Sequence, residues 1–345
     1  MPERKAQQRL TRIITDIRSR KFPYKPKPAK RIDWAAYDAA QLNEMNDYLT
    51  LVREVVDEIH REIGDVDQGN VGKPPKSAFD RAKAVLLQQY FEAGNRVAAG
   101  LARLFAEKLG IAEPLGYKDI ETAYENAAVV LILGLVLAKT NEPVREQRLA
   151  GDGTGVPSSI KENYANDRGT PRAQHYDKLI TIVGVEHKLI AAAEFADGHA
   201  AEGEFAIPLM EEARRLHPEA RAVALDGAFY WREIIAWLEK EGITPYIMPL
   251  VTATLNARGC PARRRMLKAL LKDVQAWLAE YHVRSITESR HSADKRVFPR
   301  PALKRIEGRR RVEGFARACR YNIRQLAYVH YLNKVPVQWL ERAAG

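Results

Sequence analysis

Apolar residues recur at helical spacing through the first 140 residues of the chain. Between residues 38 and 63 they fall every three or four positions, which predicts a long amphipathic helix. The same spacing predicts helices over 4–20, 81–91 and 97–109, and a further helix from residue 117. A short break at Ala93-Gly94-Asn95 separates two of them. Two helices with such a turn resemble a helix-turn-helix, and simple bundle packing predicts the same pattern.

The pattern changes after Glu142-Pro143, where short β-branched segments begin to alternate with helices. Strands are predicted over the following ranges: 147–154, 178–186, 189–195, 220–225 and 244–248. Helices are predicted over the following ranges: 202–216, 231–241 and 263–281. The second and third strands are two residues apart and predict a hairpin. Hairpin strands followed by alternating helices and strands indicate a mixed α/β sheet with helices on both faces.

Charge is distributed unevenly along the 345 residues. The net charge of +11 divides into +9 over residues 1–31, −12 over 32–257 and +14 over 258–345. Basic ends around an acidic middle favour a polyanionic partner, with nucleic acid the first candidate, although a solvated basic surface gives the same count. The prolines in FPYKPKP (22–28) end the first helix, so residues 1–31 are predicted to be a basic arm along a phosphate backbone or a loose tail.

Several classes of protein are disfavoured by the composition. The two cysteines, Cys260 and Cys319, lie far apart, which argues against a disulfide scaffold and a zinc finger. The charged N-terminus has no apolar segment of the kind found in secretory signals. The most apolar stretch, 127–138, is too short to cross a bilayer. We therefore expect a soluble intracellular protein without membrane contacts.

Candidate chemistry begins with two Asp-Gly pairs at predicted strand ends, Asp152-Gly153 and Asp226-Gly227. Strand ends of an α/β sheet expose side chains to a crevice, although Asp-Gly is also a common turn pair. Other acids near the predicted hairpin compete for the same role, namely Asp167, Asp177, Glu194 and Asp197.

A third group of residues lies at helical spacing: Tyr281, Arg284, Glu288 and Lys295. On a regular helix they fall within an arc of about 60° along about 21 Å of axis. The cations of such a stripe are able to hold phosphate oxygens, the ring to stack on a base, and the carboxylate to complete a metal site with the aspartates. The spacing is equally typical of an exposed ion pair between Arg284 and Glu288. The basic stretch 296–311, which contains Arg296 and Arg300, is either a DNA-tracking segment or a solvated loop.

The order and gaps of Tyr281, Arg284, Glu288 and Lys295 match the Tyr-(2)-Arg-(3)-Glu-(6)-Lys signature of a group of DDE-class insertion-sequence transposases of bacteria and archaea. Three flanking segments also resemble that group: AGDGTGVPSS (150–159), AVALDGAFYW (222–231) and ARACRYNIRQLAYVHYL (316–332). The resemblance covers about residues 77–335. It implies an RNase H-like catalytic domain over 146–345, preceded by an all-α DNA-binding domain over 32–145 and the basic arm over 1–31.

The resemblance also implies site roles. Asp152, Asp226 and Glu288 would be the catalytic residues and would hold two Mg²⁺ ions, with Mn²⁺ as a substitute. Tyr281, Arg284, Lys295, Arg296 and Arg300 would contact double-stranded DNA. The implied reaction is cleavage at the ends of an insertion element followed by strand transfer, carried out by a homodimer on DNA in the cytoplasm and nucleoid. A nuclease without strand transfer and an inactive DNA-binding derivative are the alternatives.

Overall fold

The computed structural model describes residues 2–344 with gaps at 27, 29–30, 67–75, 160–175 and 258. The helices α1 to α7 are Pro2–Arg18, Trp34–Ile63, Ala78–Tyr90, Asn95–Leu104, Ala106–Leu109, Tyr117–Ala123 and Ala127–Lys139. The strands β1 to β5 are Arg148–Pro157, Tyr176–Gly184, Ile190–Asp197, Ala222–Leu225 and Thr244–Ile247. The helices α8 to α14 are Gly203–Leu216, Arg232–Lys240, Pro261–Lys272, Val274–Tyr281, Ser285–Val297, Glu307–Asn333 and Gln338–Ala344.

The five strands form one mixed sheet in the order β3-β2-β1-β4-β5. β2 pairs antiparallel with both β1 and β3, and its pairing with β3 is the predicted hairpin. β4 runs parallel to β1 and to β5. Helix α8 precedes β4 and α9 lies between β4 and β5, as parallel strands require a crossover connection. The predicted mixed sheet with flanking helices is confirmed, and its strand order is that expected of an RNase H-like domain.

Side chains alternate between the two faces of the sheet and enter two separate cores. Leu179 and Val183 of β2 join the first core, whereas Ile180 and Ile182 join the second. The first core contains the apolar faces of α2, α3, α7 and α13. The second contains those of α1 and α8 to α11. Two-sided burial explains the largely apolar sequences of β4 and of the second half of β2.

The C-terminal helices α13 and α14 pack with the helical segment before the sheet. Cys319 and Leu326 of α13, and Trp339 of α14, lie in the same core as α2 and α3. The segment predicted as a separate DNA-binding domain over 32–145 therefore shares its core with residues predicted to belong to the catalytic domain. Sequence periodicity defines a buried face but not its partner.

The N-terminal helix is docked on the sheet domain. Leu10 and Ile14 are fully buried in the second core, beside α10. The basic arm predicted over residues 1–31 thus begins with a packed helix, because its apolar positions at helical spacing need a surface to cover.

No single helix among the described residues is long and apolar enough to cross a membrane. Helices α6 and α7 are long and apolar enough only when taken together, and the chain bends by 69° between them. The buried residues of α7, among them Ile132 and Leu133, lie in the first core.

Candidate active site

The two predicted aspartates lie side by side at the edge of the sheet. Gly151 of β1 and Leu225 of β4 form the last parallel pair, and Asp152 and Asp226 are the next residue of each strand. Adjacent strands are about 4.8 Å apart, so the two carboxyl groups leave neighbouring backbones at one end of the pair. This juxtaposition follows from the parallel register of β1 and β4.

Glycines flank Asp152 because neighbouring side chains fill the space where a Cβ would lie. A Cβ on Gly151 would stand 2.5 Å from the Leu225 Cδ2 and 2.7 Å from the Ile182 Cδ1. A Cβ on Gly153 would stand 2.6 Å from the Glu202 Oε1. The Gly-Asp-Gly sequence therefore allows β1 to lie close to its neighbours at the level of the aspartate.

Asp152 lies in a place that disfavours a negative charge. Its side chain is 14% exposed, and burial raises its pKa to about 6. The nearby charges of Asp226 and Glu202 raise the pKa further, whereas the guanidinium of Arg284 opposes the shift. Glu202, at the start of α8, was not predicted from the sequence. No spacing motif marks it, and its carboxylate lies 3.5 Å from the Lys178 Nζ.

Arg284 joins two of the predicted acids. Its Nη1 donates to the Asp152 Oδ2 at 3.1 Å and its Nη2 donates to the Glu288 Oε1 at 2.6 Å. Glu288 is the more exposed partner, with 55% of its side chain accessible. The ion pair between Arg284 and Glu288, which the sequence left open as an alternative to a DNA-facing stripe, is present and extends to β1.

Tyr281 lies in a different environment from the one expected. Its ring is 7% exposed and stacks on Trp277, with centroids 5.4 Å apart. The Arg284 guanidinium carbon lies 5.9 Å from the Tyr281 ring centroid. The single helix predicted through residues 281–295 is interrupted by a 3-10 turn at His282–Arg284. This turn ends α11 with Tyr281 facing the second core, so its ring does not offer an open surface for a base.

The remaining predicted cations divide into two groups. Lys295 Nζ donates to the Thr154 Oγ1 at 2.7 Å, two residues along β1 from Asp152. Arg296 is exposed and its Nε donates to the Ser292 carbonyl at 3.3 Å. Arg300 contacts Glu92 instead, through its backbone N–H and its Nη1. Lys295 therefore lies beside the aspartates, whereas Arg300 lies against the turn between α3 and α4.

The competing acids have other partners. Asp177 is buried and paired with Arg310 at 2.9 Å. Asp197 accepts a hydrogen bond from the His199 N–H at 2.8 Å, and Glu194 lines a groove between β3, α7, α8 and α13. Asp167 lies outside the described residues.

The donor set suits a hard divalent cation at the two aspartates. Carboxylate oxygens are the ligands that Mg²⁺ prefers, and the buried Asp152 has a second carboxylate, Asp226, on the neighbouring strand. Within the described ranges, no group of three or more His, Cys, Asp and Glu side chains is close enough to hold a metal ion. Glu288 is linked to Asp152 through Arg284, which pairs with both carboxylates.

A mixed five-stranded sheet of this order, with acidic residues at the paired ends of its first and fourth strands, defines the class of RNase H-like domains. The chain belongs to the family described as "Transposase DDE domain", whose profile matches residues 145–328. It is thus a DDE-class DNA transposase, an enzyme of DNA cleavage and strand transfer, as the resemblance implied.

A curated relative and solved structures were also compared with the chain. The "Probable transposase for insertion sequence element ISA1214" of Archaeoglobus fulgidus is 24% identical over 261 residues, which cover 74% of this chain and 77% of the relative. The "Mos1 transposase paired-end complex with left transposon end" is 16% identical with a TM-score of 0.23, covering 70% of this chain and 84% of that one. The "Mos1 mariner paired end complex with Mn" is 15% identical with a TM-score of 0.22, covering 84% and 96%. Similarity this low assigns no residue of the present chain.

Proposed function

We propose that Asp152, Asp226 and Glu288 are the catalytic acids with which this transposase cuts and joins the ends of an insertion element. The observation that carries the proposal is the placement of Asp152 and Asp226 at one end of the paired strands, with Glu288 linked to Asp152 through Arg284. Asp152 and Asp226 follow the last pair of two parallel strands, and one guanidinium links Asp152 to Glu288. The group lies within the matched family segment.

We further propose that these three carboxylates hold the divalent cation, Mg²⁺ or Mn²⁺, with two ions per site. Bound there, the metal supplies activation of the attacking hydroxyl and stabilisation of the leaving 3′ oxygen. One crystallised Mos1 complex contains Mn according to its description and another contains Mg, which supports this choice of ions.

The protein's own cations would hold the DNA strand beside the acids. Arg284 is kept in place by Asp152 and Glu288, and Lys295 by Thr154. Each retains N–H donors for phosphate oxygens. The Tyr281 ring packs between Trp277 and the Arg284 guanidinium. Its role would be to position Arg284 rather than to stack on a base. Arg296 is exposed next to Lys295 and would contact the backbone further along.

A second contact to the double-stranded element end is proposed for the helical segment. α3 is buried from Ala78 to Gln89, so it is not available to DNA, whereas α4 exposes Arg96 and Arg103 on one side. Helix α4 is therefore the better candidate for the recognition helix of the predicted helix-turn-helix. Arg300 lies at the turn before α4 and would extend this contact. Pairing of two element ends would require a homodimer on DNA, acting in the nucleoid.

The catalytic assignment is tested by replacing each acid with alanine. We expect Asp152→Ala, Asp226→Ala and Glu288→Ala to abolish divalent-dependent cleavage of a duplex taken from the DNA that borders the coding region, while binding of that duplex persists. Asp197→Ala is the matched control, since Asp197 also precedes a glycine at a strand end. Cleavage by the Glu288→Ala protein at the unmodified rate would contradict the assignment.

Strand transfer is separated from simple nuclease activity with a pre-cut end that carries a free 3′-OH. Joined donor–target products are expected from the unmodified protein. Cleavage without joined products would favour the nuclease alternative. An inactive DNA-binding derivative would bind the duplex and yield neither product.

A further inference from the structure

The last residue of the N-terminal helix lies beside the second aspartate. Arg18 donates from Nε and Nη2 to the Pro249 carbonyl, at 3.0 and 2.9 Å. A Cβ on Gly227 would stand 3.2 Å from the same Nη2. Because Gly227 directly follows Asp226, the guanidinium lies at the end of β4 where the acids meet.

Arg18 lies near Asp226, but its guanidinium is bound to the Pro249 carbonyl rather than to a carboxylate. The residue is exposed, and among the described residues no carboxylate forms an ion pair with it. A guanidinium has five N–H donors. Those directed at Pro249 fix its orientation, and the others remain for an oxyanion.

The helix that carries Arg18 is held on the sheet domain at several points along its length. Leu10 and Ile14 are fully buried in the second core. The Gln7 side chain donates to the Ala253 carbonyl at 3.0 Å and accepts from the Leu255 N–H at 2.8 Å. The packing of α1 therefore fixes the position of Arg18. A residue that is already in place binds an incoming anion without the entropic cost of becoming ordered.

The segment after α1 is also held against the site. The rings of Tyr24 and His282 lie 4.4 Å apart between centroids, and Gln275 Nε2 donates to the Pro23 carbonyl at 2.5 Å. His282 belongs to the 3-10 turn that ends in Arg284. The stretch from Arg18 to Tyr24 thus connects a contact at Pro249 with a contact at the turn that contains Arg284.

The anchor points of Arg18 and Lys295 lie at two different strands, with β4, the strand that leads to Asp226, between them. Lys295 is bound at β1 through Thr154, and Arg18 is bound just after β5 through Pro249. β1 and β5 are separated only by β4, so the two anchor points are about 10 Å apart across the sheet. A DNA strand carries one phosphate per about 3.4 Å of helix axis, so a strand held at the acids has phosphates within reach of both cations.

We propose that Arg18 is a phosphate-binding residue of the active site and that α1 serves to position it next to Asp226. This inference rests on the proposed role of Asp152 and Asp226 and adds a residue that the family signature does not contain. It assigns the N-terminal basic segment a contact at the cleaved strand end rather than on distant DNA.

The first experiment compares two arginines of the same helix. Arg18→Gln and Arg12→Gln remove the same charge, but the Arg12 side chain is 86% exposed and, in the part of the chain that the structure describes, pairs with Asp16 at 3.8 Å. We expect Arg18→Gln to weaken binding of a pre-cut bordering duplex about tenfold, because a charge-assisted hydrogen bond is lost. It should also reduce the slope of log K against log salt by about 0.9. Arg18→Lys should recover most of the loss, and Arg12→Gln should change neither quantity.

The second experiment locates the contact without depending on affinity. Cys260 and Cys319 are both buried, so the thiol introduced by Arg18→Cys can be labelled selectively with a photoactivatable cross-linker. Cross-links are expected within one or two nucleotides of the cleaved 3′ end. Arg12→Cys, labelled in the same way, should give none there.

The possible failures are distinguishable. Equal binding by the Arg18→Gln and Arg12→Gln proteins, or cross-links only to distant nucleotides, would overturn the Arg18 proposal and leave the catalytic assignment intact. Retained cleavage by Asp152→Ala and Asp226→Ala would instead overturn the assignment on which it rests.

Discussion

Arg284 shows how the resting site balances its own charge at the scale of single residues. Two carboxylates share its guanidinium, and one of them, Asp152, has the unfavourable surroundings of burial and two nearby acids. Arg284 therefore supplies positive charge to these two carboxylates, as a bound metal cation would also do. Removing the charge of Asp152 should therefore raise the stability of the folded protein and abolish its activity.

We predict that Asp152→Asn stabilises the protein near pH 8 in the absence of divalent cations. The folded-state pKa of about 6 lies above the ordinary value of 3.8, so folding favours the protonated acid. Stability from this group is complete below about pH 4 and is lost as the pH rises through about 6. The rise from 3.8 to about 6 corresponds to at most about 3 kcal/mol, which already includes the attraction to Arg284, and partial exposure of the side chain to solvent reduces this figure. We expect a net gain in the free energy of unfolding of about 1–2 kcal/mol, which vanishes near pH 4.

Urea denaturation across this pH range measures the effect. Asp38→Asn, at an exposed position of α2, is the control and should show no such pH dependence. A stability difference for Asp152→Asn that stays constant between about pH 4 and 6 would contradict the prediction.

Single residues also show where sequence reasoning stops. Asp152 and Asp226 were predictable because strand ends and Asp-Gly pairs are local signals. The burial of Tyr281 was not, because it depends on a 3-10 turn that breaks the ideal 100° spacing. Arg18 and Glu202 reach the site from distant parts of the chain, and no local pattern links them to it.

At the scale of elements, helix α12 is held from beneath by α13. Arg320 is 1% exposed and donates to the Asp294 Oδ2 at 2.6 Å, while its guanidinium carbon lies 3.6 Å from the Phe298 ring centroid. Arg290 donates to the Thr181 Oγ1 of β2 at 3.2 Å. These contacts fix the helix that carries Glu288 and Lys295 over β1.

We predict that Arg320→Met destabilises the protein by about 3 kcal/mol, because it leaves Asp294 without its cation in a largely buried place. The double variant Arg320→Met/Asp294→Leu should recover much of the loss, since replacing both partners of a buried pair is often close to neutral. Urea denaturation of the single and double variants measures this. Equal stability of the two would show that the ion pair does not anchor α12.

Gly314 allows α13 to pack closely against β3 of the sheet. A Cβ on Gly314 would overlap the Phe195 ring of β3, whereas a Cβ on Gly308 of the same helix would meet nothing within 4 Å. We predict that Gly314→Ala lowers the free energy of unfolding by about 1–3 kcal/mol through overpacking. Gly308→Ala should leave it unchanged or raise it by up to about 1 kcal/mol. Comparable thermal midpoints for the two variants would contradict this account.

Most elements were predictable to within a few residues, because their apolar periods are regular. Strand β4 was predicted over 220–225 and lies at Ala222–Leu225. Helix α2 was predicted over 38–63 and begins at Trp34, after its cap Asp33 accepts from the Ala36 N–H. Apart from the hairpin of β2 and β3, the sequence did not predict which elements pack against each other. An amphipathic pattern shows that α1 must bury one face, but only the assembled sheet domain provides the surface that receives it.

At the scale of the whole molecule, the uneven charge has two uses. Part of the excess of +14 over residues 258–345 faces the acidic middle of the chain rather than solvent. Arg309 pairs with Glu121 and Glu125, Arg310 with Asp177, and Arg324 with Glu44. These ion pairs connect α13 to the helical segment and to the sheet. Fewer cations of residues 258–345 are therefore open to solvent than the +14 of that segment indicates. We propose that Lys295 and Arg296 are among those left for DNA, together with Arg18 of the N-terminal segment.

This division of charge predicts which basic residues control the salt dependence of DNA binding. Lys295→Gln and Arg309→Gln each remove one positive charge from the C-terminal region. Lys295 lies beside the acids, whereas Arg309 is 16% exposed and bound to two glutamates. Each phosphate contact contributes about 0.9 to the slope of log K against log salt. We expect Lys295→Gln to reduce the slope by about that amount and Arg309→Gln to leave it unchanged, as measured by fluorescence anisotropy of a labelled duplex over a range of KCl concentrations. An equal reduction in both variants would mean that the basic stretch 296–311 follows the DNA backbone, and that its ion pairs open when DNA binds.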